Sequence, residues 1–379
     1  MRVLVVDTYY AGFLEAHYRR HPRLAAQPYQ GQLRSLLDQS FGTSDGYSRN
    51  LIAAGYEAQE IIVDCVPLQA RWAAEHGLGR ALRQMTALGS GRIAARARAR
   101  LLRRVALAQI DAYDPDVVYI QNTSFFARGD LDALRRAGRF VAGQLASPAP
   151  PGDLLAGFDL IVTSFPHFVD RFTAAGIDSA YLPLAFDDLV LERLGSRGVD
   201  AQPSADRDHI VAFVGGVDPA VHAAGTALLE RVAAHAPLEV WGYGAGALAR
   251  ASPLRLRHHG EAWGLDMYEV LARSKIVLNR HIDVAEDFAN NMRLFEATGV
   301  GALLLTDAKR NLADLYEPGT EVVAYRDADD LLAQLTELER DEDRRTGIAA
   351  AGQRRTLRDH TYARRMVELG EILERRIGS

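Results

Sequence analysis

Asn290-Asn291-Met292-Arg293-Leu294-Phe295-Glu296-Ala297-Thr298-Gly299-Val300-Gly301-Ala302-Leu303-Leu304-Leu305-Thr306-Asp307 contains a complete loop, helix and strand. The two asparagines form a polar opening, Gly299 and Gly301 end the helix, and Ala302–Leu305 reads as a strand covered on both faces. An open helix start offers unpaired N–H groups and about half a positive charge, which suits a diphosphate. The backbone of Asn291 and Met292 lies at that start, and Arg293 adds a full charge in the first turn. Glu296, one turn in, is placed to accept hydrogen bonds from vicinal hydroxyls such as those of a ribose. Taken alone, the same residues also describe an ordinary helix with a capping or solvated carboxylate.

The same alternation extends in both directions. Strand candidates are Arg2–Val6, Ala58–Val63, Val117–Ile120, Phe140–Leu145, Leu160–Thr163 and Ala180–Pro183. A second series is His209–Val214, Leu238–Trp241, Leu254–His258, Ile276–Asn279, Ala302–Leu305 and Val322–Tyr325. These runs lack strict polar alternation and are separated by helix-like stretches, the pattern of α/β doubly wound parallel sheets. Twelve strands are too many for one such sheet, and the chain turns polar between Phe186 and Asp208. The expectation is therefore two Rossmann-like domains facing across a cleft. They cover 1–186 on the acceptor side and 187–355 on the donor side, with a closing helix over 356–379.

A chain of 379 residues agrees with two domains. An apolar fraction of 48% excludes wholesale disorder, and a net charge of −5 argues against a nucleic-acid partner. The single cysteine, Cys65, excludes an internal disulfide and any multi-cysteine zinc site. No run approaches the ~18 apolar residues of a membrane span, and the chain opens on a strand, so the cytoplasm is the expected location. Lys275 and Lys309 are the only lysines. Arg80–Ile110 carries eight Arg and no Asp or Glu, and reads as one or two helices broken near Gly89–Gly91. It reads first as a solvated helix face; the alternative is weak peripheral contact with anionic lipid or a phosphorylated polymer.

In open α/β sheets ligands bind outside the carboxyl ends of the strands. On that rim of the first domain lie Tyr9, Tyr10 and Phe13, Thr43 and Ser44, and Asn122. The aromatic residues either stack on a sugar or lipid acceptor or pack the long insertion after the first strand. The helix after that insertion is expected to start with Ser44 as its N-cap, and Asp45 at its start is the candidate base or orienting group. Asp114-Pro115-Asp116 precedes its strand and reads as a turn rather than a metal–nucleotide site. In the second domain the rim holds Gly215 and Gly216, Trp241 and Gly242, and Arg280 and His281. Trp241 and Tyr243 either flank a nucleobase or pack against the sheet. His258-His259 lacks the partners of a metal site.

From Phe213-Val214-Gly215-Gly216-Val217-Asp218-Pro219 onward, the second half resembles the donor domain of group-1 glycosyltransferases of the GT-B fold. Leu238-Glu239-Val240-Trp241-Gly242-Tyr243-Gly244, Phe295-Glu296-Ala297 through Thr306-Asp307, Leu315-Tyr316-Glu317-Pro318-Gly319 and His360-Thr361-Tyr362 carry the likeness. Phe41-Gly42-Thr43-Ser44-Asp45-Gly46-Tyr47-Ser48, Gln69-Ala70-Arg71-Trp72-Ala73-Ala74-Glu75 and Ser274-Lys275-Ile276-Val277-Leu278-Asn279 are similar to the CgeB-like (spore-maturation) branch. Two positions depart from the group-1 pattern. Phe288 stands where another Glu would hold the donor sugar, with Glu286 and Asp287 beside it. Gly215-Gly216-Val217-Asp218 lacks the usual Arg and Lys and offers only His222, so Arg293, with Arg280 and the amides of Asn291 and Met292, is expected to serve the phosphates.

The resemblance implies transfer of a sugar from a nucleoside-diphosphate sugar to a hydroxyl acceptor. No metal and no cofactor beyond that donor are expected, because no Asp-x-Asp loop is well placed. The alternatives are a nucleotide-sugar epimerase of the same fold and a non-catalytic sugar-nucleotide-binding surface-assembly protein.

Overall fold

Val3, Leu4, Val5 and Val6 point alternately to the two faces of a strand, and all four are buried. A strand apolar on both sides is stable only inside a sheet with helices on both faces. The computed structural model describes residues 1–79 and 91–378. Two units result: Met1–Leu182 with Met366–Ser379, and Pro183–Arg365. The boundary after Leu182 falls four residues before the division expected from sequence at 186/187.

In the first unit β1 (Arg2–Asp7), β2 (Glu57–Ile62), β3 (Val117–Ile120), β4 (Phe140–Leu145), β5 (Leu160–Thr163) and β6 (Ser179–Tyr181) lie in the order β2-β1-β3-β4-β5-β6. Every pairing is parallel. The insertion after β1 folds into helices Ala11–Arg20 and Tyr29–Leu37, and the helix Gly46–Ala53 follows. Phe13 stacks on Phe41 with ring centroids 4.2 Å apart, and Tyr9 meets both rings edge-on. The end of the last helix, Tyr362–Ile377, belongs to this unit. Arg376 pairs with Asp178 at 2.6 Å, and the Tyr56 hydroxyl donates to Glu374 at 2.9 Å.

The second unit contains β7 (His209–Val214), β8 (Leu238–Trp241), β9 (Ser274–Leu278), β10 (Leu303–Asp307) and β11 (Val323–Tyr325), in the order β11-β10-β9-β7-β8 and again all parallel. Ala212, Val277 and Leu304 face one core with Phe295 and Tyr316. Their neighbours Val211, Ile276 and Leu305 face another with Leu229 and Leu335. Both faces are therefore filled.

Three local expectations are corrected. Leu254–His258 is no strand: Ser252 caps Arg255 N–H at 3.0 Å, Pro253 occupies the first helical turn, and Pro253–Leu256 is a short helix. Only His258 makes an isolated bridge to Val240. Ser44 is no N-cap: its backbone is left-handed (φ 49°) and its hydroxyl donates to the Leu37 carbonyl, which leaves Asp45 at the cap position. Residues 356–359 finish the helix Glu342–Asp359, and the chain breaks at His360 before the last helix starts. Of the Arg-rich segment, residues 80–90 lie outside the described residues; the remainder is the helix Arg92–Tyr113. Among the described residues no helix is long and apolar enough to cross a membrane.

The break at His360 is a buried junction. Phe186 N–H donates to the His360 carbonyl at 2.9 Å, and Tyr362 N–H returns to Phe186 at 3.0 Å. The His360 ring donates from Nε2 to the Leu315 carbonyl at 2.8 Å and accepts Arg365 on Nδ1 at 3.0 Å. Burial, with Arg365 adding, lowers its pKa from 6.5 to about 4. Unfolded His360 therefore takes up a proton first as pH falls, so this contribution to stability is complete above about 6.5 and is lost toward 4. By pH 4.5 the loss is on the order of 2–3 kcal/mol. Urea unfolding at pH 7 and 4.5 should show a smaller acid loss in His360→Gln than in the wild-type protein.

Candidate functional site

In a doubly wound sheet the crevice opens where strand order reverses. In the second unit that point lies between β7 and β9. The loop after β7 is Gly215-Gly216 and the loop after β9 is Asn279-Arg280-His281. A side chain on Gly242 would lie 1.9 Å from the Gly215 carbonyl oxygen, and one on Gly216 would meet His222 and Tyr243. Gly242 also sits at φ 140°, so this rim is bare backbone by necessity. Arg280 lies over Gly225 in the first turn of the helix Ala223–His235, where a Cβ would approach its guanidinium to 2.8 Å. Arg280 also reaches Asp283 at 3.0 Å. The rim thus brings a cation, a helix start and two glycine loops together.

The end of β9 is tied to the Arg293–Gly299 helix. Asn291 Nδ2 donates to Asn279 Oδ1 at 2.9 Å, and Asn291 Oδ1 accepts Leu294 N–H at 3.2 Å. Asn279 donates in turn to Thr306 at 2.9 Å. The helix is seven residues long, with Met292 at its cap. Arg293 turns inward: it pairs with Glu296 at 2.8 Å and donates to the Val214 carbonyl at 3.2 Å. Glu296 is buried and also faces the Tyr268 hydroxyl at 3.4 Å. Burial raises its pKa, against the lowering effect of Arg293.

His281 is buried. Its Nδ1 lies 2.7 Å from Asp307 Oδ1, an oxygen that also accepts the His281 amide. Lys309 stands 3.4 Å from the other Asp307 oxygen. Although burial opposes it, these cationic and hydrogen-bonding neighbours hold the Asp307 carboxyl below its usual range. Trp241 is enclosed by His259, stacked at 4.7 Å, and by His209, so sheet packing accounts for it. Tyr243 and Trp263 stack in parallel nearby and retain partial exposure. Phe288 packs under the Arg310 guanidinium.

In the first unit the order reverses between β1 and β3. Thr43 and Asn122 both reach that point: Gln121 donates to Thr43 at 2.7 Å, and Asn122 donates to Thr8 at 3.0 Å. Tyr9, Phe13 and Ser44 are buried, whereas Tyr10 is exposed and lies edge-on to Phe41. Asp45 lies 3.8 Å from Arg49. Two further residues reach this point: Asp7, the last residue of β1, and Asp64, two residues beyond β2. The sequence signal for them is a carboxylate closing the apolar run Val3–Val6 and another just after the apolar run Ile61–Val63, on the rim where ligands bind. The partnership of Asp307 with His281 spans 26 residues, a separation that no local sequence pattern signals.

Residues 224–371 match the family model described as glycosyl transferase-like. In sequence, no curated protein matches the chain. Solved structures do. Sucrose-phosphate synthase from Thermosynechococcus elongatus is similar at TM-score 0.59 and 10% identity, covering 99% of this chain and 98% of that one. HepE from Anabaena, solved in complex with UDP-glucose, is similar at 0.56 and 13% identity over 99% of both chains. UDP-GlcNAc 2-epimerase from Neisseria meningitidis, solved bound to UDP-GlcNAc, is similar at 0.54 and 11%, over 99% of this chain and 100% of that one. The fold is GT-B. Identities this low establish the architecture and leave the chemistry to the residues.

The Arg293–Glu296 pair yields a stability prediction. Arg293→Met leaves a buried carboxylate without its cation and should cost about 3–5 kcal/mol at neutral pH. Because unpaired Glu296 then favours its proton more strongly in the folded state, the deficit should shrink as pH falls through the carboxylate range. Glu296→Gln in the same chain should remove that pH dependence. Urea unfolding of the two variants at pH 5 and 8 checks both statements.

Proposed function

We propose that the protein is a glycosyltransferase that moves a sugar from a nucleoside-diphosphate sugar to a hydroxyl acceptor. One coincidence carries this reading. The glycosyl transferase-like match covers the same residues, from Gly225 through Arg280 and Asn291 to Glu296, that build the rim around the β7/β9 reversal. The resemblance of the N-terminal segments to the CgeB-like branch supports the narrower reading of a member of that branch.

In this reading the diphosphate lies over the Gly215-Gly216 loop, at the start of the Ala223–His235 helix and beside Arg280. Backbone amides and the guanidinium stabilise the charge that develops on the leaving group, and no metal is required for that step. Glu296 receives ribose hydroxyls on a carboxylate held in place by Arg293 and Tyr268. Tyr243 and Trp263 supply the aromatic surface for the base. Arg293 supports the site through Val214 and Glu296. The first unit supplies the acceptor side. The second reading is a nucleotide-sugar epimerase, a chemistry found on the same fold in one similar structure.

Calorimetric titration with UDP and with uridine checks the donor site. Arg280→Gln should weaken UDP binding about ten- to a hundredfold, the range of a charged hydrogen bond, and leave uridine binding unchanged. Equal UDP affinity in both proteins counts against the placement. A panel of nucleotide sugars then separates the activities: nucleotide release that depends on an added acceptor supports transfer, whereas a changed sugar isomer without release supports epimerisation.

A further inference from the structure

Asp7 ends β1 at the point where strand order in the first unit reverses, and its surroundings come from several segments. Asp7 Oδ1 accepts the Thr8 amide at 2.7 Å. Its Oδ2 lies 3.4 Å from the Thr43 hydroxyl, which also accepts from Gln121. Asp64 stands alongside and receives the Tyr9 amide on both oxygens, at 3.0 and 3.2 Å. Both aspartates retain partial exposure.

Behind them lie two buried polar atoms, the Tyr9 hydroxyl and Glu60 Oε2, that make no hydrogen bond of good geometry among the described residues; the Ser44 hydroxyl approaches Tyr9, and Ser48 serves Glu60 through Oε1. Tyr9 is 4% exposed and Glu60 3%, and both lie within electrostatic reach of Asp7. Buried polar groups are rarely left unpaired. A polyhydroxylated molecule would satisfy this set, since each hydroxyl donates to a carboxylate and accepts from a tyrosine or a protonated carboxyl. Among the described residues no group of three His, Cys, Asp or Glu side chains is arranged to hold a metal ion, so the cluster does not have the form of a cation site.

We propose that Asp7 binds the acceptor's hydroxyl group and takes its proton. The inference rests on the glycosyl-transfer reading and identifies the catalytic residue of its acceptor side. As the acceptor oxygen forms its bond to the anomeric carbon, its proton passes to Asp7 Oδ2. The bond from that carbon to the diphosphate oxygen breaks, and the nucleoside diphosphate leaves with the electron pair. Asp45, the candidate from sequence, lies toward Arg49 instead.

The local charges suit the role. Burial, with Asp64 adding, pushes the Asp7 carboxyl up to about 7, and burial pushes Asp64 up to about 6. A base near neutrality combines a populated basic form with useful proton affinity. The groups facing Asp7 are Asp64, Glu60 from β2, Tyr9, and Tyr47 from the Gly46–Ala53 helix. Asp45, paired with Arg49, bears on Glu60 and Tyr9. Burial drives the Glu60 carboxyl well above the usual carboxylate range.

The experiment compares Asp7→Asn and Asp64→Asn with the wild-type protein. UDP affinity is read by calorimetry, and turnover by UDP release from the panel's best donor with methyl glucoside as the acceptor probe. Asp7→Asn should lower kcat about a hundredfold or more while leaving the UDP Kd unchanged. Wild-type kcat/KM should rise with pH through about 7 and then level. Asp64→Asn, by removing one repelling carboxylate, should move that rise to lower pH. Wild-type kcat in folded Asp7→Asn, or a rise that Asp64→Asn does not move, overturns the assignment while UDP binding, and with it the donor reading, stands. If the wild-type protein binds no UDP, the glycosyl-transfer reading falls, and the assignment of a proton acceptor for that reaction falls with it. A carbon-13 titration of the Asp7 carboxyl judges the site independently: a midpoint near 7 that drops in Asp64→Asn supports it, and one in the ordinary carboxylate range overturns it.

Discussion

Parallel pairing forces every strand of a sheet to end on the same edge, and a reversal of strand order leaves a gap there that helices do not cover. In this protein the constraint operates twice, between β1 and β3 and between β7 and β9. Each gap is lined by the residues that directly follow the strands, so their character decides what the gap can hold. The second unit presents glycine backbone and Arg280 there; the first presents Asp7, Asp64, Thr43 and Asn122. One lining suits an anion and the other suits hydroxyl groups.

Packing supports each lining from behind. Gly242 approaches the Gly215 carbonyl so closely that no side chain fits, and the Gly215 and Val217 amides donate to the Trp241 and Tyr243 carbonyls, which keeps the loop after β7 low. Arg293, expected to reach a ligand, instead joins Glu296, Tyr268 and the end of β7. A buried ion pair of this kind adds little net stability, yet losing either member leaves a buried charge, so it holds the geometry of the rim. Asn291 does related work, tying the end of β9 to the next helix through one side chain.

Charge is treated differently in the two units. Near β10 the carboxylate of Asp307 is surrounded by His281 and Lys309 and held ionised. Near β1 the carboxylates of Asp7, Asp64 and Glu60 gather with no cation among the groups that shift their pKa values, and burial raises all three. Accumulating acids without counter-charge is costly for folding and is a frequent mark of proton-transfer sites. Asp45, which has Arg49 nearby, lacks that feature.

The chain's own residue pattern was enough to establish the doubly wound α/β architecture and eleven of its strands, because strands covered on two faces must be apolar throughout. It also located both rims, since residues after such strands can lie nowhere else. Leu254–His258 was misread because a short apolar run does not distinguish strand from helix; the cap from Ser252 and the ring of Pro253 decided that. Ser44 was misread because a hydroxyl before a helix resembles a cap until its backbone angle is known. Side-chain partnerships across long separations, such as Asp307 with His281 or Asp7 with Thr43 and Asp64, existed only after folding. Burial and proximity set proton affinity, and neither is a property of a residue's place in the chain: only the tertiary structure pushed the Asp7 carboxyl upward and turned Arg293 inward.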